Sequence, residues 1–269
     1  MVNRKRLDPT ESAAALFGAK LRKLRDKAGL SQAQLAGEVG YSNDTISKVE
    51  TAAQAPSPEL AERLDAHFGT EDTFQELQPL AAKEGIPIFF RPYAELESTA
   101  DAIRVYDHVV ISGLLQTEDY ARAVLRPGQR PGVLEQAIAT RMGRQEILRR
   151  DEPPWVVILL QESVIRKVVG SKEITKAQLG RLLELLKEPH INISIVPDEA
   201  AVYPGGGFAL FSREDEPDVG YSEGAGSSGH VITLSSKVKE FRRLWDMLTH
   251  AALSSTASEA LILEVMESL

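Results

Sequence analysis

Between Asn43 and Lys48 the chain carries Asn, Asp, Thr, Ser and Lys around one apolar residue, Ile46. If this stretch is helical, Ile46 and Val49 share a side, and Asn43, Asp44, Thr45, Ser47 and Lys48 are expected to lie away from it. The chemistry open to such a face is hydrogen bonding to the edges of stacked bases. Asn can pair bidentately with adenine, Asp can accept from the cytosine amine, and Lys can reach guanine or a phosphate, once the helix enters a major groove ~12 Å wide. Gln32 stands at the start of the preceding helical stretch, whose free backbone N–H groups make a natural phosphate clamp. With Ser42 at the turn, these residues form the candidate DNA-contacting set.

The elements that must position them are legible in the spacing. Phe17, Leu21, Leu24 and Ala28 recur at helical intervals up to Gly29. Ser31 with Gln34 three residues later is a capping box for a second helix carrying Leu35, Ala36 and Val39 inward, and Gly40 suits its left-handed cap. Ser42 caps a third helix. Ser57-Pro58 opens a fourth with Leu60, Leu64 and Phe68, and a fifth short helix follows Thr70. Two helices joined by the tight turn Gly40-Tyr41-Ser42 are a DNA-reading device.

The expected organisation is multidomain: a flexible arm over 1–16, an all-α helix-turn-helix domain over 17–78, a linker over 79–92, and a mixed α/β domain for regulation and dimerisation over 93–269. In the last, strands are expected over Ile103 to Ile111 and Val156 to Leu160, at the alternating Ile191, Ile193 and Ile195, and in three short runs at 208–211, 219–222 and 230–234. The Val156 to Leu160 run is continuous and suits a central strand. Helices are expected from Glu118, over Leu134 to Arg150, around Leu179 to Leu186, over Val238 to Leu248 and from Glu259. The Arg4-Lys5-Arg6 arm reads either as a minor-groove tail or as a disordered terminus.

Composition excludes several chemistries. With no cysteine among 269 residues, disulfides and thiolate catalysis are impossible. No window approaches ~18 consecutive apolar residues, and the basic N-terminus is not followed by an apolar run, so a cytoplasmic protein with no membrane partner is expected. The five histidines lack metal-ligand spacing, and no metal or other cofactor is expected. Gly224-Ala-Gly-Ser-Ser-Gly229 spells the dinucleotide fingerprint, but an apparent strand follows it where the fingerprint needs a helix; it is read as a turn. Gly205-Gly206-Gly207 has no trailing Lys-Ser/Thr and is no phosphate loop. No catalytic constellation emerges, so the reading is not an enzyme. The net charge of −8 is unevenly spread: Met1 to Lys48 holds nine Lys/Arg against five Asp/Glu, and Lys83 onward holds 21 against 27. A mildly basic N-terminal end implies modest non-specific DNA affinity.

The run Leu24-Arg25 … Gly29-Leu30-Ser31-Gln32 … Leu35-Ala36 … Gly40 … Ser42 … Ile46-Ser47 … Glu50 resembles the XRE/Cro-type helix-turn-helix family across roughly 17–68. The resemblance implies that Gln32 grips a phosphate, that Asn43, Asp44 and Ser47 face bases, and that Arg25 and Glu50 pair inside the domain. Ala52 stands where that family usually has Gly, and Gln54 where a cation is usual. A left-handed Ala is costly, so a different helix ending is expected. Glu97, then Ile111-Ser-Gly-Leu-Leu-Gln-Thr-Glu-Asp-Tyr-Ala-Arg-Ala-Val-Leu125, then Arg141 … Arg144-Gln145 … Leu148 and Pro153-Pro154, resemble the C-terminal domain of unknown function of WhiJ-like actinobacterial regulators, across roughly 85–269. Ser112 replaces the usual Pro. That resemblance implies an antitoxin-like or developmental switch with a small acidic partner protein.

Leu114-Leu115-Gln116-Thr117 with Tyr120 reads as a strand-to-helix turn with its cap, or as a ligand or partner contact together with Tyr93, Arg104 and Tyr106. The function expected is sequence-specific binding of a double-stranded DNA operator by a homodimer on half-sites ~34 Å apart. Control is expected through the C-terminal domain by a small protein partner, or alternatively by a small-molecule ligand. A chain ending near Ala82 is expected to stay folded but monomeric.

Overall fold

The computed structural model of the chain describes residues 8–10, 12–83, 86, 88–127, 131–224 and 228–269. The Arg4-Lys5-Arg6 arm and the centre of the Gly224–Gly229 turn lie outside the described residues. Two compact units are present, and the division is not linear: Met1–Ile86 with Gly128–Glu146 form one, and Pro87–Pro127 with Ile147–Leu269 the other.

The first unit is all-α. It contains α1 (Ala13–Lys27), α2 (Gln32–Val39), α3 (Asn43–Glu50), α4 (Pro58–Phe68) and α5 (Thr73–Lys83). Its sixth helix, α8 (Pro131–Arg144), comes from much further along the chain. The first four starts are fixed by a hydroxyl: Ser12, Ser31, Ser42 and Ser57 accept from the third backbone N–H onward, at Ala15, Gln34, Thr45 and Leu60. Ser31 and Gln34 form the full capping box. Phe17, Leu21, Leu35, Ile46, Leu60, Leu64 and Phe74 are wholly buried in one core, with Phe17 and Phe74 rings 4.9 Å apart. Asp65, buried within this unit, caps α5 by accepting from the Phe74 and Gln75 N–H groups at 3.0 Å.

The second unit has a six-stranded mixed sheet. Its strands are β1 (Ala102–Asp107), β2 (Trp155–Gln161), β3 (Ile191–Val196), β4 (Phe208–Ser212), β5 (Val219–Gly224) and β6 (Ser228–Ile232), in spatial order β3-β2-β1-β4-β5-β6. The pairs β1/β2 and β2/β3 are parallel, and the rest antiparallel. One face buries Ile103, Val105, Val156, Ile158, Leu160, Ile193 and Ile195 in a core that includes residues of α6 (Arg91–Thr99), α7 (Glu118–Leu125), α10 (Lys172–Leu185) and α12 (Ser255–Ser268). The other buries Tyr106, Leu159, Phe208 and Leu210 with Val238, Trp245 and Leu248 of α11 (Ser235–Ala251). A short helix, α9 (Glu162–Arg166), follows β2. Strand β2 is covered on both faces, which is why its sequence shows no alternation.

Three expected elements differ. The expected linker over 79–92 is largely helical: α5 runs through Pro79 to Lys83, and a 3-10 turn at Ile88–Phe90 leads into α6. Strand β1 stops at Asp107 rather than Ile111, and the Ile111 backbone meets side chains instead of a neighbouring strand. Tyr120 Oη accepts its N–H at 3.5 Å, and Gln116 Nε2 donates to its carbonyl at 2.6 Å. The helix expected to reach Arg150 ends at Arg144 and tightens into a 3-10 turn over Gln145–Arg149. An all-α helix-turn-helix region followed by a mixed α/β domain is nevertheless the architecture of the protein.

Candidate nucleic-acid interface

Helix α3 is eight residues long and presents two unlike sides. Ile46 and Val49 are at most 1 % exposed and enter the core. Asn43 and Asp44 are exposed, and Ser47 and Lys48 are partly exposed. Asp44 and Lys48 lie one turn apart and form an ion pair of 2.9 Å between them. Such a surface pair contributes only ~0.3–0.5 kcal/mol and does little to hold either side chain in place.

Thr45 corrects the expected polar face. It is 7 % exposed, and its hydroxyl lies 2.9 Å from Ser42 Oγ. A residue adjacent to Ile46 at 100° per position lies on the flank of the apolar side, and here it turns inward. Ser42 Oγ also accepts the Thr45 N–H at 3.0 Å, so this hydroxyl is occupied in starting the helix.

Behind the helix lies a polar triad, buried at Arg25 and Glu50. Glu50, 1 % exposed, accepts from Arg25 Nε, from Arg25 Nη2 at 3.0 Å, and from Gln32 Nε2 at 2.7 Å. Arg25 is 4 % exposed and also donates to the Leu30 carbonyl at 2.8 Å. Hydrogen bonding to the Glu50 carboxylate holds the Arg25 guanidinium above its ordinary pKa, against the opposing effect of burial. The triad ties the end of α3 to α1 and to the start of α2. The Gln32 amide nitrogen therefore faces inward, to Glu50.

The turn between α2 and α3 is set by Gly40, at φ 72°, which a β-carbon would strain. Arg63 Nη1 donates to the Val39 carbonyl at 3.1 Å, and its guanidinium lies 5.5 Å over the Tyr41 ring. Burial raises the Tyr41 pKa; Tyr41 Oη is 3.0 Å from Ser57 Oγ. At the far end the expected alternative ending does not occur. Ala52 adopts φ 54°, with its N–H on the Val49 carbonyl at 3.1 Å and the Ala53 N–H on Lys48 at 2.8 Å. This is the Schellman arrangement built without glycine.

Sequence reasoning missed one surface feature. Lys20, Lys23 and Lys27 are exposed along one side of α1 at i, i+3, i+7 spacing, with no ion pair among the described residues. That spacing was the signal that could have found them.

The residues singled out in the second unit do not share a surface. Tyr93 is buried on the α6 face, stacked on Phe90 at 4.5 Å. Gln116 and Tyr120 are buried on the same face and serve the Ile111 backbone. Tyr106 lies on the opposite face, its hydroxyl donating to Gln161 at 2.9 Å. Arg104, two residues earlier on β1, shares that side and donates to Ser212 Oγ at 3.0 Å. The sheet separates the two groups. Buried Gln178 explains the Leu114–Thr117 turn: it accepts the Thr117 N–H at 2.7 Å and donates to the Leu115 carbonyl at 2.8 Å. Among the described residues, no group of three or more His, Asp or Glu gathers at metal-binding distance, and no helix is long and apolar enough to cross a membrane.

Residues 90–264 match the family described as a domain of unknown function (DUF5753), well over half of the chain. The chain belongs to the DUF5753 family. Residues 16–77 match a helix-turn-helix domain, which points to a DNA-binding regulator. No curated protein and no solved structure matches the chain. The DUF5753 match contains all six strands and also α8, which packs with the helix-turn-helix unit rather than beside the sheet.

Proposed function

We propose that this DUF5753 protein is a sequence-specific transcriptional regulator of the XRE type, which reads an operator by inserting α3 into the major groove. The observation that carries the reading is the two-sidedness of α3. Ile46, Val49 and Glu50 anchor one side, while Asn43, Asp44 and Lys48 are left outward with side chains suited to base edges and phosphate. The protein acts as a homodimer, since one such helix contacts too few base pairs for tight binding. Regulation enters through the DUF5753 domain, with a small protein, antitoxin-like in character, as the signal. The separation of Tyr93, Gln116 and Tyr120 from Arg104 and Tyr106 by the sheet argues against these residues lining one small-molecule pocket.

The test begins with selection of duplexes from a random library by the full chain. On the selected duplex, Asn43→Ala and Asp44→Ala each lower affinity by ~1–3 kcal/mol and relax preference at one position, with little change on scrambled DNA. Lys48→Ala lowers both alike. Failure to enrich any sequence, or equal losses for Asn43→Ala on both duplexes, refutes the reading.

A further inference from the structure

The segment joining α3 to α4 is unusually deep for a connection. Gln54, Ala55, Pro56 and Ser57 are all buried, whereas connecting segments normally run over the surface. Every one of them is held. Ser57 Oγ is 3.0 Å from Tyr41 Oη, and the Pro56 carbonyl accepts from Gln78 Nε2 at 3.0 Å. The other two holds come from far along the chain. The Ala55 N–H donates to the carbonyl of Ala139, inside α8, at 3.3 Å. Gln54 Nε2 donates to Glu146 Oε1, just past the end of α8, at 3.0 Å.

The contact at Ala55 is backbone against backbone, and Gly143 makes room for it. A β-carbon at Gly143 would lie 2.8 Å from both the β-carbon and the carbonyl oxygen of Ala55. Neither can swing aside as the end of a long side chain could. A shift of α8 therefore moves the backbone of the connection itself, only a few residues from the base-reading side chains. The helix it moves is short, and its end is a left-handed alanine cap that is intrinsically weak.

Helix α8 belongs to the DUF5753 match, whereas the connection belongs to the helix-turn-helix match. The chain enters the first unit at Gly128 and leaves it at Glu146, so the second unit is covalently joined to both ends of α8. We propose that α8 is the positioning element through which the DUF5753 domain sets the DNA-reading helix, with Gly143 and Glu146 as the positioning residues. This rests on the DNA-binding reading and adds the route by which a signal in the family domain reaches the operator.

The test uses the full chain and the duplex that the wild type selects. Gly143→Ala favours the helical state of α8 itself, so any loss it causes comes from the contact with Ala55. It lowers affinity for the selected duplex about tenfold, the equivalent of roughly one base contact, and affects scrambled DNA less. Glu146→Ala does the same. Glu146→Gln, which keeps an acceptor for Gln54, stays within about twofold of wild type, a rescue that a purely electrostatic role would not give. Hydrogen exchange at the Ala53 and Ala55 amides rises in both damaging variants, while amides of β1 and β2 are unchanged. Faster exchange with unchanged affinity and base preference overturns the positioning role, and so does unchanged exchange in Gly143→Ala. A wild-type chain that selects no duplex overturns the DNA-binding reading, and this inference with it.

Discussion

Replacing Glu50 by Ala removes the acceptor shared by Arg25 and Gln32 at the back of the reading helix. Gln32 is partly exposed and can turn to water, so its loss is small. Arg25 cannot: it is 4 % exposed, and without Glu50 its remaining partners are the Leu30 carbonyl and the solvent-exposed carboxylate of Asp26, at 2.7 Å. Orphaning a buried charge costs ~3–5 kcal/mol. A domain of this size has ~5–15 kcal/mol to lose, so the first unit should be close to unfolding at 37 °C. Both tryptophans, Trp155 and Trp245, lie in the second unit, which allows the units to be followed separately. In the Glu50→Ala chain, helix loss followed by far-ultraviolet circular dichroism should begin far below the wild-type transition. Tryptophan fluorescence should report a largely unmoved second unit.

The reasoning has a sharper consequence. If the cost is an orphaned charge rather than a lost attraction, removing both charges should restore most of it. Arg25→Met with Glu50→Leu should recover more than half of the loss, because well-packed apolar pairs commonly match buried ion pairs. An unchanged melting curve for Glu50→Ala, or a double variant as unstable as the single one, would refute the argument.

Two further outcomes follow from single positions. Ala52→Gly should stabilise the first unit by about 1 kcal/mol, since a left-handed alanine at φ 54° is strained by roughly that much; it is checked by denaturant melts, and a destabilised variant would show that the alanine is not strained. Burial raises the Tyr221 pKa to about 12, while in the unfolded chain it lies near ~10. The folded state therefore holds the phenol proton longer, and this contribution is fully present below pH ~10 and lost as pH rises towards about 12. The second unit should lose about 2–3 kcal/mol over that interval by tryptophan-monitored denaturation, and Tyr221→Phe should flatten the decline. Equal slopes in the two chains would remove Tyr221 as the cause.

The helices and their caps were legible because helix starts are local chemistry. Ser31, Ser42, Ser57 and Thr117 each fall at the cap expected of them. The continuous run at Val156 to Leu160 also announced a strand covered on both faces. Distant pairing was not legible. Nothing local in Ala139, Gly143 or Glu146 indicates that they meet Gln54 and Ala55, some ninety residues earlier, because such contacts depend on the path of the whole chain. For the same reason a continuous piece of chain holds only part of the first unit. A chain ending near Ala82 would expose Gln54 and Ala55, which α8 otherwise meets. At the site, exposure of Asn43 and Asp44 followed from the spacing, but burial of Thr45 did not. Position on a flank is decided by whether a neighbour such as Ser42 offers the hydroxyl a partner.

Charge explains why fine placement matters in this protein. A regulator with a strongly basic head gains affinity from phosphates wherever it lands, and tolerates an ill-set reading helix. Here the net charge is −8, and the acids of α4 and α5, from Glu59 to Glu76, offset the lysines of α1. Lys48 is engaged with Asp44 in the free protein, and Gln54, just past the end of α3, is turned inward to Glu146. Few phosphates can be neutralised, so discrimination must come from the base-reading side chains, whose hydrogen bonds fail over fractions of an ångström. A head poor in cations thus makes the setting of α3 the quantity that decides binding, and in this chain that setting is shared with a helix of the DUF5753 domain.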